Sequence, residues 1–116
     1  MELAGVLIST TPERYPAMRA FYVERLRLLP RSDRPLFVNF DFGRTRLSIA
    51  VHDGLDGPAR DPLRVMVNLS TEDIDGAIGR CEPETVLRWP ERETWGGLVA
   101  TVADPDGNII QFLQME

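Results

Sequence analysis

The stretch Asp104–Gln114, DPDGNIIQFLQ, is typical of a tight turn followed by a β-strand. Its Asp-Gly pair favours a hairpin turn, because glycine adopts positive φ angles without steric cost. Side chains of a strand alternate between two faces, so Ile110 and Phe112 are predicted to face a helix layer. Gln111 then faces the opposite side together with Ile109 and Leu113. A carboxamide is therefore predicted in the middle of an otherwise apolar strand.

The forty residues before this stretch indicate the rest of a repeated unit. A strand is predicted over Arg64–Leu69, where Val65, Val67 and Leu69 alternate with Arg64, Met66 and Asn68. A helix follows over EDIDGAIGRC, residues 72–81, with Ser70 or Thr71 as its cap and Asp73 placed for a capping box. Strands are predicted in ETVLRW (84–89), GGLVATVAD (96–104) and NIIQFLQ (108–114).

The first half of the chain has the same order of elements. LAGVLIS (3–9) predicts a strand, and apolar residues at helical spacing predict a helix from about Tyr15 to about Arg27. A short edge strand is expected in PRSDRP (30–35), and residues 36–52 predict a hairpin that turns at Gly43-Arg44. The segment 53–62, rich in Gly, Pro and Asp, predicts a linker.

The predicted fold class is α+β, as one domain over residues 1–116. It comprises two βαβββ modules, at about 3–52 and 64–114, that form a curved mixed sheet around a groove with helices outside. One face of each sheet takes the helix, so the other face must meet the second module or a ligand.

Composition excludes some functions and favours others. With 13 basic and 18 acidic residues the net charge is −5, which argues against nucleic acid as a partner. A single cysteine, Cys81, allows no intrachain disulfide and is expected to pack near a helix end. The N-terminus lacks a basic segment followed by a long apolar run, so no signal peptide is expected. No run of ~20 apolar residues is present for a membrane span, and a cytoplasmic location is expected. The small size and an open sheet edge favour a homodimer.

Three segments, FYVERLRL (21–28), STEDIDGAI (70–78) and WGGLVATVADPDGNIIQFLQ (95–114), resemble the vicinal oxygen chelate superfamily. This superfamily holds the glyoxalase, bleomycin-resistance and extradiol dioxygenase relatives. The resemblance extends from Leu3 to Gln114, although Leu26-Arg27 stands where a leucine-glycine pair is usual. It implies paired βαβββ modules. In metal-dependent members it also implies four inward His, Glu or Gln ligands and a divalent metal that acts as a Lewis acid.

Position by position, the resemblance implies an incomplete metal site. Gln111 matches a position where metal-dependent relatives usually carry Glu, and His52 lies at or near another ligand position. Arg64 matches the usual His position, and a guanidinium cannot bind a metal. The remaining position falls on Leu3 or Ala4, which have no ligand atom in their side chains. We therefore expect no cofactor, with a divalent metal on His52 and Gln111 as the weaker possibility.

Several side chains are candidates for ligand binding. Arg64 is placed to clamp a carboxylate or phosphate, and Trp89 and Trp95 flank the segment PERET (90–94), which is expected to overhang the groove. Three of these side chains also have a purely structural explanation: His52 as a surface residue beside Asp53, Arg64 as an ion pair with Asp61, and Gln111 as an amide tied to backbone. The candidates are Asn39, Ser48, His52, Arg64, Asn68, Trp95 and Gln111.

Three functions remain open from the sequence. The favoured one is a groove that binds a small organic ligand without a complete metal site, resembling the bleomycin-resistance proteins. A second is a lyase or dioxygenase that uses a divalent metal. A third is a metal-free enzyme with His52 as general base and Arg64 stabilising an anion. The sequence does not decide whether the chain is an enzyme.

Overall fold

The computed structural model describes residues 1–115, which divide into two compact units, residues 1–58 and residues 59–115. Each unit has one four-stranded mixed sheet and one short helix, in the order βαβββ. The predicted α+β class and the repeated order of elements are confirmed. No helix among the described residues is long and apolar enough to span a membrane.

Unit one has a sheet in the order β1-β4-β3-β2, in which β1 is parallel to β4 and the other neighbours are antiparallel. The helix continues past α1 as one π-helical turn over Phe21–Arg25. The predicted edge strand and hairpin are both present. The elements are β1 (Gly5–Thr10), α1 (Tyr15–Ala20), β2 (Ser32–Arg34), β3 (Phe37–Phe42) and β4 (Thr45–Val51).

Unit two repeats this plan, with the sheet order β5-β8-β7-β6 and β5 parallel to β8. A 3₁₀ turn over Pro83–Thr85 leads from the helix into β6. The elements are β5 (Val67–Ser70), α2 (Ile74–Gly79), β6 (Val86–Arg92), β7 (Leu98–Ala103) and β8 (Ile109–Gln114). Strand by strand, β1, β2, β3 and β4 correspond to β5, β6, β7 and β8.

The core of unit one follows from the two periodicities in its sequence. The helix buries apolar residues at steps of three and four, and Met18 and Tyr22 are fully buried. Val38 pairs with Ile49, which pairs in turn with Ile8, and all three side chains are buried. Paired residues share a face, so these side chains form the helix-facing side of the sheet.

The hairpin between β7 and β8 is organised by a buried carboxylate. Oδ1 of Asp104, 4% exposed, accepts hydrogen bonds from the backbone N–H groups of Asp106 and Asn108, each at 2.9 Å. The Asn108 amide donates to the same carboxylate. Gly107 has a φ of 84°, a left-handed conformation that suits glycine. The predicted turn is confirmed, and its first aspartate holds it together.

Two predicted boundaries in unit two are wrong. β5 begins at Val67, because the chain before it turns where the Arg64 N–H bonds the Asp61 carbonyl at 3.1 Å. The helix starts at Ile74 and is capped by Asp73, whose carboxylate accepts from the Gly76 N–H at 3.0 Å, so neither Ser70 nor Thr71 is the cap.

The segment PERET is also not the loop that the sequence predicts. β6 continues through Arg92, so Trp89 lies within a strand and only Glu93 to Gly97 turn the chain. β6 is an edge strand with two register shifts against β7, between Val86 and Arg88 and between Arg88 and Glu91. Pro90 lies within the second shift, where a missing N–H costs no ladder bond.

An ion pair joins the helix of unit one to its edge strand. Arg19 Nε donates to Asp33 Oδ1 at 3.1 Å, and the Arg19 Nη2 lies 2.5 Å from Asp33 Oδ2. This hydrogen bond from Arg19 lowers the pKa of the Asp33 carboxyl below its usual value. A carboxyl group whose pKa is lowered by folding stabilises the folded protein at pH values above its unfolded-state pKa. This contribution is lost as the pH falls through the folded-state pKa.

We therefore expect Arg19→Gln to reduce slightly the loss of stability on acidification. The effect is small because solvent screens an exposed pair. Urea unfolding at a series of pH values from neutral to acid measures it, with Arg44→Gln, at a looser exposed pair with Glu2, as the control. An unchanged pH profile in Arg19→Gln would contradict the assignment.

Candidate functional site

A row of polar side chains crosses the face of the unit-two sheet that is opposite to α2. Asn68 on β5 pairs with Gln111 on β8, Gln111 pairs with Thr101 on β7, and Thr101 pairs with Arg88 on β6. Directly paired residues point to one side of a sheet, with neighbouring Cβ atoms ~5 Å apart. We call these four residues the polar row. The placement of Gln111 and Asn68 on the face away from the helix is as the alternation predicts.

Three members of the polar row have no hydrogen-bonding partner for their side chains within residues 1–115. They are Asn68, which is exposed, Gln111, which is half-buried, and Thr101, which is 8% exposed. The interpretation of Gln111 as an amide tied to neighbouring backbone therefore does not hold among the described residues. Two carboxamides and one hydroxyl are available to an external hydrogen-bonding group.

The fourth member, Arg88, forms ion pairs with two carboxylates. Its Nη2 atom lies 2.6 Å from Glu93 Oε1 and 3.5 Å from Glu91 Oε2. The hydrogen bond to Glu93 raises the pKa of Arg88 above its usual value. The polar row therefore ends in a paired guanidinium and presents mainly neutral groups.

In the corresponding row of unit one, the carboxamide side chain bonds within the protein. It runs through Leu7, Ser48, Asn39 and Ser32. Asn39 is 6% exposed, and its Oδ1 accepts from the Ser32 N–H at 3.0 Å, while its carbonyl accepts from Arg31 at 2.8 Å. Asn39 thus fastens the edge strand β2. Ser48 lies between Leu7 and Asn39 on this face.

His52 lies one residue beyond β4, so its predicted place on that strand is wrong. Its backbone N–H donates to the Thr10 carbonyl at 3.0 Å, which closes the end of the sheet. Its Nδ1 accepts the Gly54 N–H at 2.9 Å, and the Asp53 carboxylate is 3.7 Å away. The side chain is 60% exposed, so His52 is a surface turn residue of unit one.

Arg64 and Trp95 also have local structural partners. Arg64 precedes β5 in a turn, with its side chain 79% exposed and its Nε 2.9 Å from Asp61 Oδ2, so its predicted place on the strand is wrong. Trp95 lies in the β6–β7 loop with its ring over Gly97, where any Cβ would collide with the indole. Half of the Trp95 side chain remains exposed.

The donor set gives little support for a metal centre of the kind that the resemblance implies. Within residues 1–115, no group of three or more His, Cys, Asp or Glu side chains is placed to hold an ion. The polar row offers two amides, a hydroxyl and a paired guanidinium. Divalent cations in proteins are held by carboxylates, imidazoles or thiolates, with amide oxygens only as additional ligands. The polar row does not fit such an ion.

Sequence reasoning found half of the polar row. Asn68 and Gln111 were identified from alternation, whereas Thr101 and Arg88 were missed. Thr101 carries the one hydroxyl in the otherwise apolar run LVATVA, so its place on this face could have been predicted from alternation. Arg88 follows the first irregularity in β6, so its face cannot be counted from the strand start.

Comparisons with solved structures identify the fold. The chain is similar over its whole length to a protein of unknown function from Agrobacterium tumefaciens str. C58, at 21% identity, 95% coverage of that chain and a TM-score of 0.79. A glyoxalase-related enzyme from Fulvimarina pelagi matches at 17% identity, with 98% of this chain and 88% of that chain covered, and a TM-score of 0.74.

A family enzyme from Burkholderia phytofirmans PsJN, described as glyoxalase/bleomycin resistance protein/dioxygenase, matches at 18% identity, 100% coverage of both chains and a TM-score of 0.72. No protein-family model matches the chain, and no curated protein matches it. At these identities the likeness establishes the architecture.

Proposed function

We propose that this chain, which has the glyoxalase/bleomycin resistance/dioxygenase fold, binds a small uncharged organic molecule on the polar row of unit two. The observation that carries the proposal is that three side chains on one sheet face have no hydrogen-bonding partner among residues 1–115: Asn68, Gln111 and Thr101. The main-chain groups of these strands bond one another in the sheet and do not use the side chains. The hydrogen-bonding groups of the three side chains are therefore available to a ligand.

The surroundings of the polar row resemble those of small-molecule sites. On one side of it Val99 pairs with Leu113, and on the other Ala103 pairs with Ile109. A row of hydrogen-bonding groups between two apolar rows matches the usual lining of such sites. Four strands at a spacing of ~4.8 Å span ~14 Å, which is the length of a small organic ligand.

The functional groups of the polar row favour an uncharged ligand. Each carboxamide donates and accepts hydrogen bonds, and the guanidinium of Arg88 is compensated by Glu93. Uncharged ligands with amide, carbonyl or hydroxyl groups fit this arrangement better than anions. None of the four side chains titrates near neutral pH, so the row binds and orients a ligand rather than exchanging protons with it.

We expect Gln111→Ala and Asn68→Ala each to weaken ligand binding about tenfold, the cost of one hydrogen-bonded contact of roughly 1.4 kcal/mol. The measurement is saturation-transfer NMR with a library of neutral amides, lactams and alcohols, followed by titration of the hits. Each titration is run once with and once without EDTA.

Thr94→Ala, at an exposed hydroxyl of the β6–β7 loop, is the matched control and should keep full affinity. The proposal fails if the Asn68→Ala, Gln111→Ala double variant binds every hit as the parent does. It also fails if EDTA abolishes binding, which would support a metal-dependent lyase or dioxygenase instead.

The homodimer and the cytoplasmic location stay predictions. One mode of assembly is disfavoured: the two register shifts and Pro90 disrupt the free edge of β6. An irregular edge is a poor template for adding a strand from a second copy.

A further inference from the structure

Unit one contains a cleft away from the central part of its sheet. Its volume is about 380 Å³, and it lies between the segment that follows the helix and the far end of β3. Sites for small ligands usually have volumes of roughly 300–1,000 Å³. The lining residues are Arg27, Leu28, Leu29, Pro30, Arg31, Phe40, Asp41 and Phe42.

The cleft exists because the helix ends before it covers the sheet. The π-helical turn stops at Arg25, and the chain then crosses to β2, where the Arg31 N–H bonds the Asn39 carbonyl at 2.8 Å. Phe42, at the end of β3, remains 42% exposed, and Leu29 is 87% exposed. An apolar wall is thus left open to solvent.

The rim of the cleft carries excess positive charge. Asp41 is shared by two guanidinium groups: Arg31 Nε lies 3.2 Å from its Oδ2, and Arg46 Nε lies 2.9 Å from its Oδ1. Arg27 has no hydrogen-bond or ion-pair partner among residues 1–115. The cleft is therefore locally cationic, in a chain of net charge −5.

Arg27 has a backbone conformation that is unfavourable for any residue with a Cβ. Its φ of 58° is left-handed, and the Leu28 N–H bonds back to the Tyr22 carbonyl at 3.1 Å, so Arg27 is the residue that ends the helix. Glycine is the usual residue at such a helix end, because a Cβ is disfavoured there. An arginine at this position gives up backbone stability and places a guanidinium beside the cleft.

We propose that this cleft binds a small aryl or alkyl carboxylate, with the carboxylate on Arg27 and the apolar body against Phe42 and Leu29. The charge and the lining of the cleft both favour this ligand. A guanidinium forms two parallel hydrogen bonds with a carboxylate, and the wall beside Arg27 is apolar. The site is distinct from the polar row, since its lining lies in unit one.

The test compares 2-naphthoate with its neutral analogue 2-naphthamide by ¹H–¹⁵N NMR titration. We expect naphthoate to shift the signals of residues 27–31 and 41–42 and to bind at least about tenfold more tightly than naphthamide, as a charged hydrogen bond requires. Arg27→Gly should bring the two affinities together and raise the melting temperature. Arg27→Lys should keep most of the preference, because it keeps the charge.

Gln111→Ala should leave naphthoate binding unchanged, so the two sites are tested separately. The proposal is overturned if Arg27→Gly retains the preference for naphthoate, or if the shifted signals lie on β5, β7 and β8 instead. The rise in melting temperature shows that Arg27→Gly is folded, so a loss of preference in that variant counts as support.

Discussion

Asp104→Ala should destabilise the protein by about 3 kcal/mol, the largest effect expected of any single substitution described above. The Asp104 carboxylate is buried and accepts hydrogen bonds from the backbone N–H groups of Asp106 and Asn108 and from the Asn108 side chain. Removing it leaves these donors without their partner, and a buried unsatisfied donor costs ~1–3 kcal/mol.

Urea unfolding followed by tryptophan fluorescence measures this change in the free energy of unfolding. Asp104→Asn keeps an oxygen acceptor for the two backbone N–H groups and should cost less than half as much. Asp56→Ala, in the exposed linker, is the matched control and should have little effect. A free energy for Asp104→Ala within ~0.5 kcal/mol of the parent, the usual range of surface substitutions, would show that the turn does not depend on this carboxylate.

Gly5→Ala should cost about 2 kcal/mol, near the middle of the range for overpacking a tight site. Gly5 pairs with Arg46 where β1 joins β4, and a Cβ on Gly5 would collide with the Arg46 carbonyl oxygen. Backbone atoms cannot rotate away as a side chain does. The first strand must therefore separate from β4 or shift along it, and parallel hydrogen bonds are lost.

The matched control is Gly79→Ala at the end of α2, where a Cβ meets nothing within 4 Å. This substitution should be neutral or stabilising, because alanine favours helix over glycine by up to ~1 kcal/mol. The measurement is again urea unfolding, with NMR signals of β1 as a local readout. Equal stability of the two alanine variants would contradict the tight approach of β1 to β4.

The candidate site shows where counting along a strand succeeds. Asn68 and Gln111 were placed on one face from alternation alone, and they pair directly. Both lie inside regular strands, where each step reverses the side chain. Arg64 and His52 lie outside β5 and β4. Arg64 is in a turn closed by a backbone hydrogen bond, and the turn at His52 is closed by its own Nδ1, so strand alternation does not predict where these side chains point.

The sequence by itself determined the α+β architecture of this protein, the repeat of its two units and the turn at Asp104. These features follow from local patterns: periodicity, glycine placement and side chains that bond nearby backbone. Only the tertiary structure decided which polar groups are available to a ligand: Gln111 has no partner within residues 1–115, whereas Asn39 holds an edge strand. The physical reason is that a side chain's partners come from neighbouring strands, whose register no single segment specifies.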